Sequence, residues 1–193
     1  MGNSLKLLLA TKNTHKLEEI KNILGKAAGI TYLSLHDFPG FAIKETGRSL
    51  LQNSLLKAEF AFKVTGNPSL ADDSGLFIDA LDGEPGIFSS RFASTDQARI
   101  DKVLNMMRSR TNRTAHFRAV FVYYFAPQRY QAFEGMCPGT IALEPRGANG
   151  FGYDPIFIPD GHKKTFAEMT PKTKNRISHR YRALRKFKAY LLR

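Results

Sequence analysis

The spacing of hydrophobic residues along the chain predicts strands and helices in turn. Short apolar runs are typical of buried strands, and apolar residues that recur at intervals of three and four are typical of helices. Asn13 or Thr14 can cap the first of these helices. In the first part of the chain the pattern predicts strands at 5–10 and 30–35 and helices at 17–24 and 49–64.

The same pattern continues through the second half of the chain. It predicts a helix at 95–108, strands at 117–125, 131–137 and 139–143, and a final helix opening at 174–180. The first two of these strands can form a hairpin across 126–129. No repeat or linker separates the elements, so we expect the 193 residues to form one domain, or one domain with two lobes.

Two adjacent carboxylates, Asp72 and Asp73, interrupt this pattern between two apolar runs, 68–71 and 76–81. Burying them is costly unless a metal ion, a hydrogen-bond network or a catalytic task compensates. The alternative is a turn, since Asp, Ser and Gly are common turn residues. The stretch alone leaves both interpretations open.

Composition narrows the class of protein. No apolar run approaches the roughly 20 residues of a membrane span. The single cysteine, Cys137, cannot form an internal disulfide, and residues 1–4 lack the features of a signal peptide, so we expect a cytoplasmic protein with no membrane association. The net charge of +12 favours anionic partners, either nucleic acid, membrane surface or small phosphates, although a solvated basic helix face explains many of these side chains.

Two loops have the composition of ligand-binding loops. The loop 11–16 joins a strand to a helix N-terminus, where free N–H groups and the helix dipole attract phosphate. The segment 145–155 contains three glycines, which permit close backbone approach, and Phe151 and Tyr153 offer rings on which a base could stack. A flexible surface loop is the alternative for the second segment. His179 and Arg180 could reach a ligand from the start of the last helix, or belong to its basic face.

These stretches occur in an order that resembles one family, the HAM1-like or inosine triphosphate pyrophosphatase family. Its members hydrolyse non-standard purine nucleoside triphosphates. The matching segments run from near residue 6 to the C-terminus and are 11–16, 45–47 with Asn53 and Lys57, 71–76, 85–86, 89–91, 150–155 and 174–180.

The resemblance implies a mixed α/β fold with an elongated central sheet flanked by helices, and two lobes with a nucleotide cleft between them. It also implies a homodimer and Mg²⁺-dependent cleavage of ITP, dITP and XTP to the monophosphate and pyrophosphate. No stable nucleic-acid complex is expected.

The resemblance also implies residue roles. Asp73 would hold the metal or deprotonate the attacking water, with Asp72 in support, although the sequence cannot rank the two carboxylates. Phe151 would stack on the base, and donors from His179 and Arg180 would suit a 6-keto oxygen. The residues expected to contact substrate are Thr11, Lys12, Asn13, Thr14, His15, Lys16, Lys57, Ser74, Phe151, Gly152, Tyr153, Asp154, Lys174, His179 and Arg180.

One position departs from the family. An acidic residue that contributes to metal binding usually precedes the Glu-Thr-Gly segment, and here that position is Lys44. Either Glu45 turns inward to serve, or the metal depends more on Asp73, substrate phosphates and water. Two other functions stay open: a related hydrolase of modified pyrimidine or standard nucleotides, and a nucleic-acid-binding module.

Overall fold

A computed structural model describes residues 5–25, 29–38, 43 and 45–192. Within these residues the strands form one six-stranded sheet in the order β2-β1-β3-β4-β5-β6. The strands are β1 (Leu5–Leu9), β2 (Ile30–Ser34), β3 (Ser69–Ile78), β4 (Thr114–Ala126), β5 (Arg129–Ile141) and β6 (Phe157–Pro159). The helices are α1 (Thr14–Leu24), α2 (Leu50–Thr65), α3 (Asp96–Met106), α4 (Pro171–Lys174) and α5 (His179–Leu191).

The sheet is mixed, as expected. Strand β1 pairs in parallel with β2 and β3, whereas β5 pairs antiparallel with β6. A two-residue turn at 127–128 joins β4 to β5, and so short a turn can connect only antiparallel neighbours. The two strands predicted at 131–137 and 139–143 are one strand, β5. Pro138 does not end it, and the Pro138 carbonyl accepts a hydrogen bond from the Asp160 N–H.

The first two helices form where the sequence predicts them. Asn13 caps α1 by accepting from the Lys16 N–H at 3.0 Å, and Ser49 caps α2 by accepting from the Gln52 N–H. Helical spacing predicts that Leu51, Leu55, Ala58 and Phe62 form the apolar stripe of α2. This prediction is wrong in part, because Leu51 is 39% exposed. The residues of α2 that are buried are Leu50, Asn53, Ser54, Ala58 and Ala61.

The chain divides into two compact units. The first contains the described residues up to Asp73 together with 119–134 and 183–192, and the second contains 74–118 and 135–182. Each unit has a hydrophobic core, with Phe121 and Phe187 at the centre of the first and Phe117, Phe157 and Phe166 in the second. No helix in the described part of the chain is long and apolar enough to cross a membrane.

The segment after β3 packs tightly against that strand. The Ser89 hydroxyl accepts from the Leu76 N–H at 2.9 Å and donates to the Gly86 carbonyl at 2.6 Å. A Cβ on Gly75 would lie 2.1 Å from the Gly86 oxygen. Only glycine fits at position 75, so this motif fixes the backbone directly after the acidic pair.

Candidate active site

The acidic pair lies within the ten-residue strand β3, so the interpretation of this stretch as a turn is wrong. Consecutive residues of a strand point to opposite faces of the sheet. Accordingly, Asp72 contacts Lys16 of α1, and Asp73 contacts Asn53 and Lys57 of α2. Both carboxylates are buried, with Asp72 2% and Asp73 6% exposed. The two neighbouring acids therefore have different direct partners, although Asp72 also acts electrostatically on Lys57, and Lys16 on Asp73.

The surroundings of Asp73 favour its protonated form relative to a free aspartate. Burial raises the pKa of Asp73 above its ordinary value, although Lys57, Lys16 and the hydrogen bond from Asn53 oppose that shift. The Asn53 amide donates to Oδ2 at 2.9 Å, and Lys57 Nζ lies 3.9 Å from Oδ1. A carboxylate whose pKa is displaced toward neutrality, and held by neighbours on both oxygens, is suited to general base catalysis.

Lys57 lies among several acidic groups. Its Nζ is 2.5 Å from Glu45 Oε1. Burial acts to lower the pKa of Lys57, but Asp72, Asp73 and Glu45 together raise it above its usual value. Glu45 thus faces inward, while Lys44 lies outside the described residues.

Asn53 connects this cluster to the preceding loop. It is fully buried, and its side-chain oxygen accepts from the Gly47 N–H at 2.8 Å while its amide nitrogen donates to Asp73. The spacing of Asn53 and Lys57, four residues apart on α2, also fits a solvated helix face, and that interpretation is wrong for Asn53. Sequence reasoning did not include Asn53 among the site residues, and it left Glu45 open as an alternative metal ligand, although both belong to the segments that resemble the family.

The loop 11–16 presents its polar groups at the surface, next to the pair formed by Asp72 and Lys16. Lys16 Nζ lies 2.9 Å from Asp72 Oδ2. The Thr11 hydroxyl accepts from the Asn13 N–H at 3.2 Å, and the Asn13 oxygen caps α1. The side chains of Lys12, Asn13, Thr14 and His15 are exposed, and those of Thr11 and Lys16 are half-buried.

A second group of predicted residues lies in the second unit, around the ring of Phe151. Arg180 Cζ is 5.1 Å and Lys174 Nζ 4.8 Å from the centroid of that ring. Arg180 also donates to the Ser74 hydroxyl at 3.0 Å. Asp154 Oδ2 accepts from Lys174 Nζ at 2.5 Å and from the Phe151 N–H at 2.9 Å. These five residues form the aromatic–cationic cluster.

His179 borders the aromatic–cationic cluster from a buried position. Its ring stacks on Phe117 at 4.7 Å with an interplanar angle of 12°. His179 is the first residue of α5, whereas Lys174 ends the short helix α4, so the single helix predicted to open at 174–180 is wrong. The intervening residues, 175–178, form turns that bring both side chains into the same unit.

Tyr153 does not offer an exposed ring. It is 4% exposed, packs in the core of the second unit, and donates through its hydroxyl to the Ser89 carbonyl at 2.9 Å. Burial raises the pKa of this hydroxyl well above its usual value. The expectation that both aromatic residues of the glycine-rich segment present surfaces to a base is wrong for Tyr153, whereas Phe151 is half-buried.

A model of the Ham1 family matches residues 7–190, which is nearly the whole chain. The chain belongs to the Ham1 family. A dITP/XTP pyrophosphatase of Halalkalibacterium halodurans is 45% identical over 190 residues, which are 95% of this chain and 97% of that protein. A dITP/XTP pyrophosphatase of Aquifex aeolicus is 43% identical, with 94% of each chain covered. A HAM1 protein from Coxiella burnetii has a solved structure that matches with a TM-score of 0.90 at 42% identity, covering 97% of this chain and 98% of that one.

Membership of the Ham1 family confirms the resemblance found in the sequence, and the structural match confirms the mixed α/β fold class. The carboxylate–lysine pairs and the aromatic–cationic cluster therefore lie within a Ham1 fold. Asp73 and Ser74 are consecutive residues of β3.

Proposed function

We propose that the chain is a Mg²⁺-dependent nucleoside-triphosphate pyrophosphatase that converts ITP, dITP, XTP and dXTP to the monophosphate and pyrophosphate. Such an activity would remove these nucleotides before they enter DNA or RNA. The observation that carries the proposal is Asp73, a buried carboxylate of raised pKa that contacts Asn53 and Lys57. The names of the relatives in Halalkalibacterium halodurans and Aquifex aeolicus support the choice of substrate.

In the proposed reaction Asp73 accepts a proton from the attacking water. The oxygen of that water then bonds to the α-phosphorus as the bond to the bridging oxygen breaks and pyrophosphate leaves. Lys16 and Lys57 supply positive charge for the phosphates, and the exposed loop 11–16 supplies further donors. Because Asn53 donates to one oxygen of Asp73, it holds the carboxylate in one orientation.

The aromatic–cationic cluster is the proposed base site. A purine can stack on Phe151, whose ring is bordered by Lys174 and Arg180. His179 and Arg180 can donate to a 6-keto oxygen, whereas the 6-amino group of adenine presents only donors to them. A site that relies on such hydrogen bonds rejects a mismatched base strongly, because polar groups would be left unpaired.

Mg²⁺ fits the donor set around Lys57. Within the described residues no group of three His, Cys, Asp or Glu side chains is arranged to hold a metal. Mg²⁺ nevertheless takes few protein ligands and binds mainly to water and phosphate oxygens. Glu45 and Asp73 would hold the ion, since both carboxylates face the ammonium of Lys57 and can accommodate positive charge. When bound, the ion would neutralise charge on the phosphates.

Metal affinity in the absence of substrate is expected to be weak, because a lysine already occupies the vicinity of both carboxylates. Isothermal titration of the protein with Mg²⁺ alone should give a dissociation constant well above the micromolar range. Micromolar binding without nucleotide would contradict this prediction.

The nucleotide preference tests the proposal as a whole. The protein is incubated with Mg²⁺ and ITP, XTP, GTP, ATP or a methylated UTP, and pyrophosphate and monophosphate are followed as products. ITP and XTP should be cleaved at least about 10²-fold more efficiently than ATP, given the donors in the base site. A preference for the methylated UTP would overturn the purine assignment in favour of the pyrimidine-hydrolase alternative.

Nucleic-acid binding is tested separately, since it was suggested only by the net charge of +12. Mobility shifts on single-stranded and duplex DNA at increasing salt would reveal such binding through its salt dependence. We expect no stable complex at physiological salt. The homodimer, the nucleotide cleft and the cytoplasmic location stay predictions.

A further inference from the structure

We infer that Asp96, a residue outside every segment that resembles the family, is a positioning residue for the loop that presents Phe151 to the base. The inference rests on the proposed function, since it assumes that Phe151 stacks on a purine. It concerns a contact between α3 and the glycine-rich segment.

Two carboxylates hold consecutive N–H groups of that loop. Asp154 Oδ2 accepts from the Phe151 N–H at 2.9 Å, and Asp96 Oδ2 accepts from the Gly152 N–H at 2.7 Å. The peptide group between Phe151 and Gly152 is therefore fixed by Asp96. Gly152 is among the residues expected to contact substrate, and its N–H is already bonded to Asp96.

Asp96, whose side chain is 48% exposed, is oriented by contacts at the start of α3. Its Oδ1 accepts from Arg99 Nη1 at 2.6 Å, and Arg99 Nε in turn donates to the Ala93 carbonyl at 3.0 Å. A carboxylate in the first turn of a helix is also favoured by the helix dipole. The helix is anchored by Ile100 and Val103 in the core of the second unit. Asp96 thus connects the loop by a hydrogen bond to a helix that is packed in the core.

The loop needs such a contact because its own backbone is permissive. Gly150 and Gly152 have φ values of +78° and +61° on either side of Phe151, and glycine restrains the chain less than any other residue. The aromatic–cationic cluster requires the Phe151 ring to stay near Lys174 and Arg180. Loss of the Asp96 contact should release the loop and lower base affinity while the groups that contact the phosphates are unchanged.

The test compares Asp96→Ala with the wild-type protein and with Thr95→Ala. Thr95 caps α3 by accepting from the Ala98 N–H at 3.1 Å and makes no hydrogen bond to the loop. It therefore controls for a weakened helix N-terminus. Three quantities are measured: the KM and kcat for dITP, the inhibition constant of inorganic tripolyphosphate, which has no base, and the melting temperature.

For Asp96→Ala we expect the KM for dITP to rise about fivefold to tenfold, which is within the usual net contribution of one hydrogen bond. The kcat should stay within about threefold and the tripolyphosphate inhibition constant should be unchanged. Asp96→Asn, which retains an acceptor oxygen, should recover most of the affinity. Thr95→Ala should lower the melting temperature and leave the KM unchanged.

A double-mutant cycle with Phe151→Ala makes the inference specific. If Asp96 acts through Phe151, adding Asp96→Ala to Phe151→Ala should change the KM by less than twofold. Additive effects, an unchanged KM in Asp96→Ala, or a parallel rise in the tripolyphosphate inhibition constant would overturn the inference. If the wild-type protein released no pyrophosphate from dITP or XTP, the proposed function itself would fail, and the two failures are thereby distinguished.

Discussion

Asp73→Asn is expected to lower the turnover of dITP by roughly 10²–10⁴, the usual contribution of a positioned base. An amide cannot accept the proton of the attacking water, although it has almost the same shape as the carboxylate. The surrounding contacts should survive in part, since Asn53 can still donate to the side-chain oxygen at position 73. Steady-state pyrophosphate release at saturating Mg²⁺ measures the effect.

The neighbouring acid is the matched control for this substitution. Asp72→Asn removes the partner of Lys16 on the opposite face of β3, and its turnover should fall at least about tenfold less than that of Asp73→Asn. A larger loss at Asp72 would exchange the roles of the two carboxylates. Turnover of Asp73→Asn within a few-fold of wild type would remove Asp73 from the base role.

The raised pKa of Asp73 also predicts how stability and rate depend on pH. The folded protein retains the Asp73 proton to higher pH than the unfolded chain, so ionisation of this group lowers the free energy of unfolding as the pH rises from the unfolded to the folded pKa. Above the folded pKa of Asp73, the wild-type protein has lost all of this contribution to its free energy of unfolding. Asp73→Asn should therefore melt at the same or a higher temperature than wild type at neutral pH. The acid limb of kcat/KM should lie above about pH 3.9, the ordinary aspartate value.

Local sequence signals predicted those features that depend on neighbours along the chain. The helix α1 with a cap at Asn13 or Thr14, and the strands β1 and β2, follow from hydrophobic spacing and capping chemistry. The parallel pairing of those two strands was not predicted from the spacing. The sequence alone left the acidic pair open between a turn and a buried site, and the structure places it within β3. Asp, Ser and Gly favour turns only in the absence of long-range constraints. Here the Gly86 backbone packs against Gly75, and the segment that contains Gly75 is an extended strand.

The features that could not be predicted depend on contacts between distant segments. Asn53 is buried on α2 although it is polar, because its amide satisfies both Gly47 and Asp73. Tyr153 can be buried because its hydroxyl donates a hydrogen bond to the Ser89 carbonyl, which lies 64 residues earlier in the chain. Asp96 lies 56 residues from the loop that it holds. No pattern of spacing within one segment reports such pairs.

Lys57→Met is expected to reduce both stability and activity. It removes a buried ammonium from a site that also contains the carboxylates of Glu45 and Asp73. Breaking a buried ion pair by removal of one partner costs about 3–5 kcal/mol, because the other charge stays buried and uncompensated. Pyrophosphate release should fall by about 10² or more, since a fixed cation next to the phosphates would be lost.

The control for this substitution lies on the same helix. Lys63 pairs with Glu59 one turn earlier in α2, but its side chain is 66% exposed. Exposed pairs of this kind contribute little, so Lys63→Met should leave the melting temperature and the rate close to wild type. An equal effect of the two substitutions would show that α2 responds to any loss of charge.

The pH dependence of Lys57→Met distinguishes a lost ion pair from lost packing. The pKa of Lys57 is raised in the folded protein, so its contribution to stability is fully present below the unfolded value of about 10.4 and is lost as the pH rises through the folded pKa. Lys57 also lowers the pKa of Asp73. Without Lys57 the buried carboxylates lack a compensating positive charge, and protonation of the carboxylates removes that cost. The stability deficit of Lys57→Met, measured by denaturant unfolding, should therefore be largest near neutral pH and shrink as the pH falls toward 4. A deficit independent of pH would mean that the methylene chain of Lys57, and not its charge, stabilises this part of the molecule.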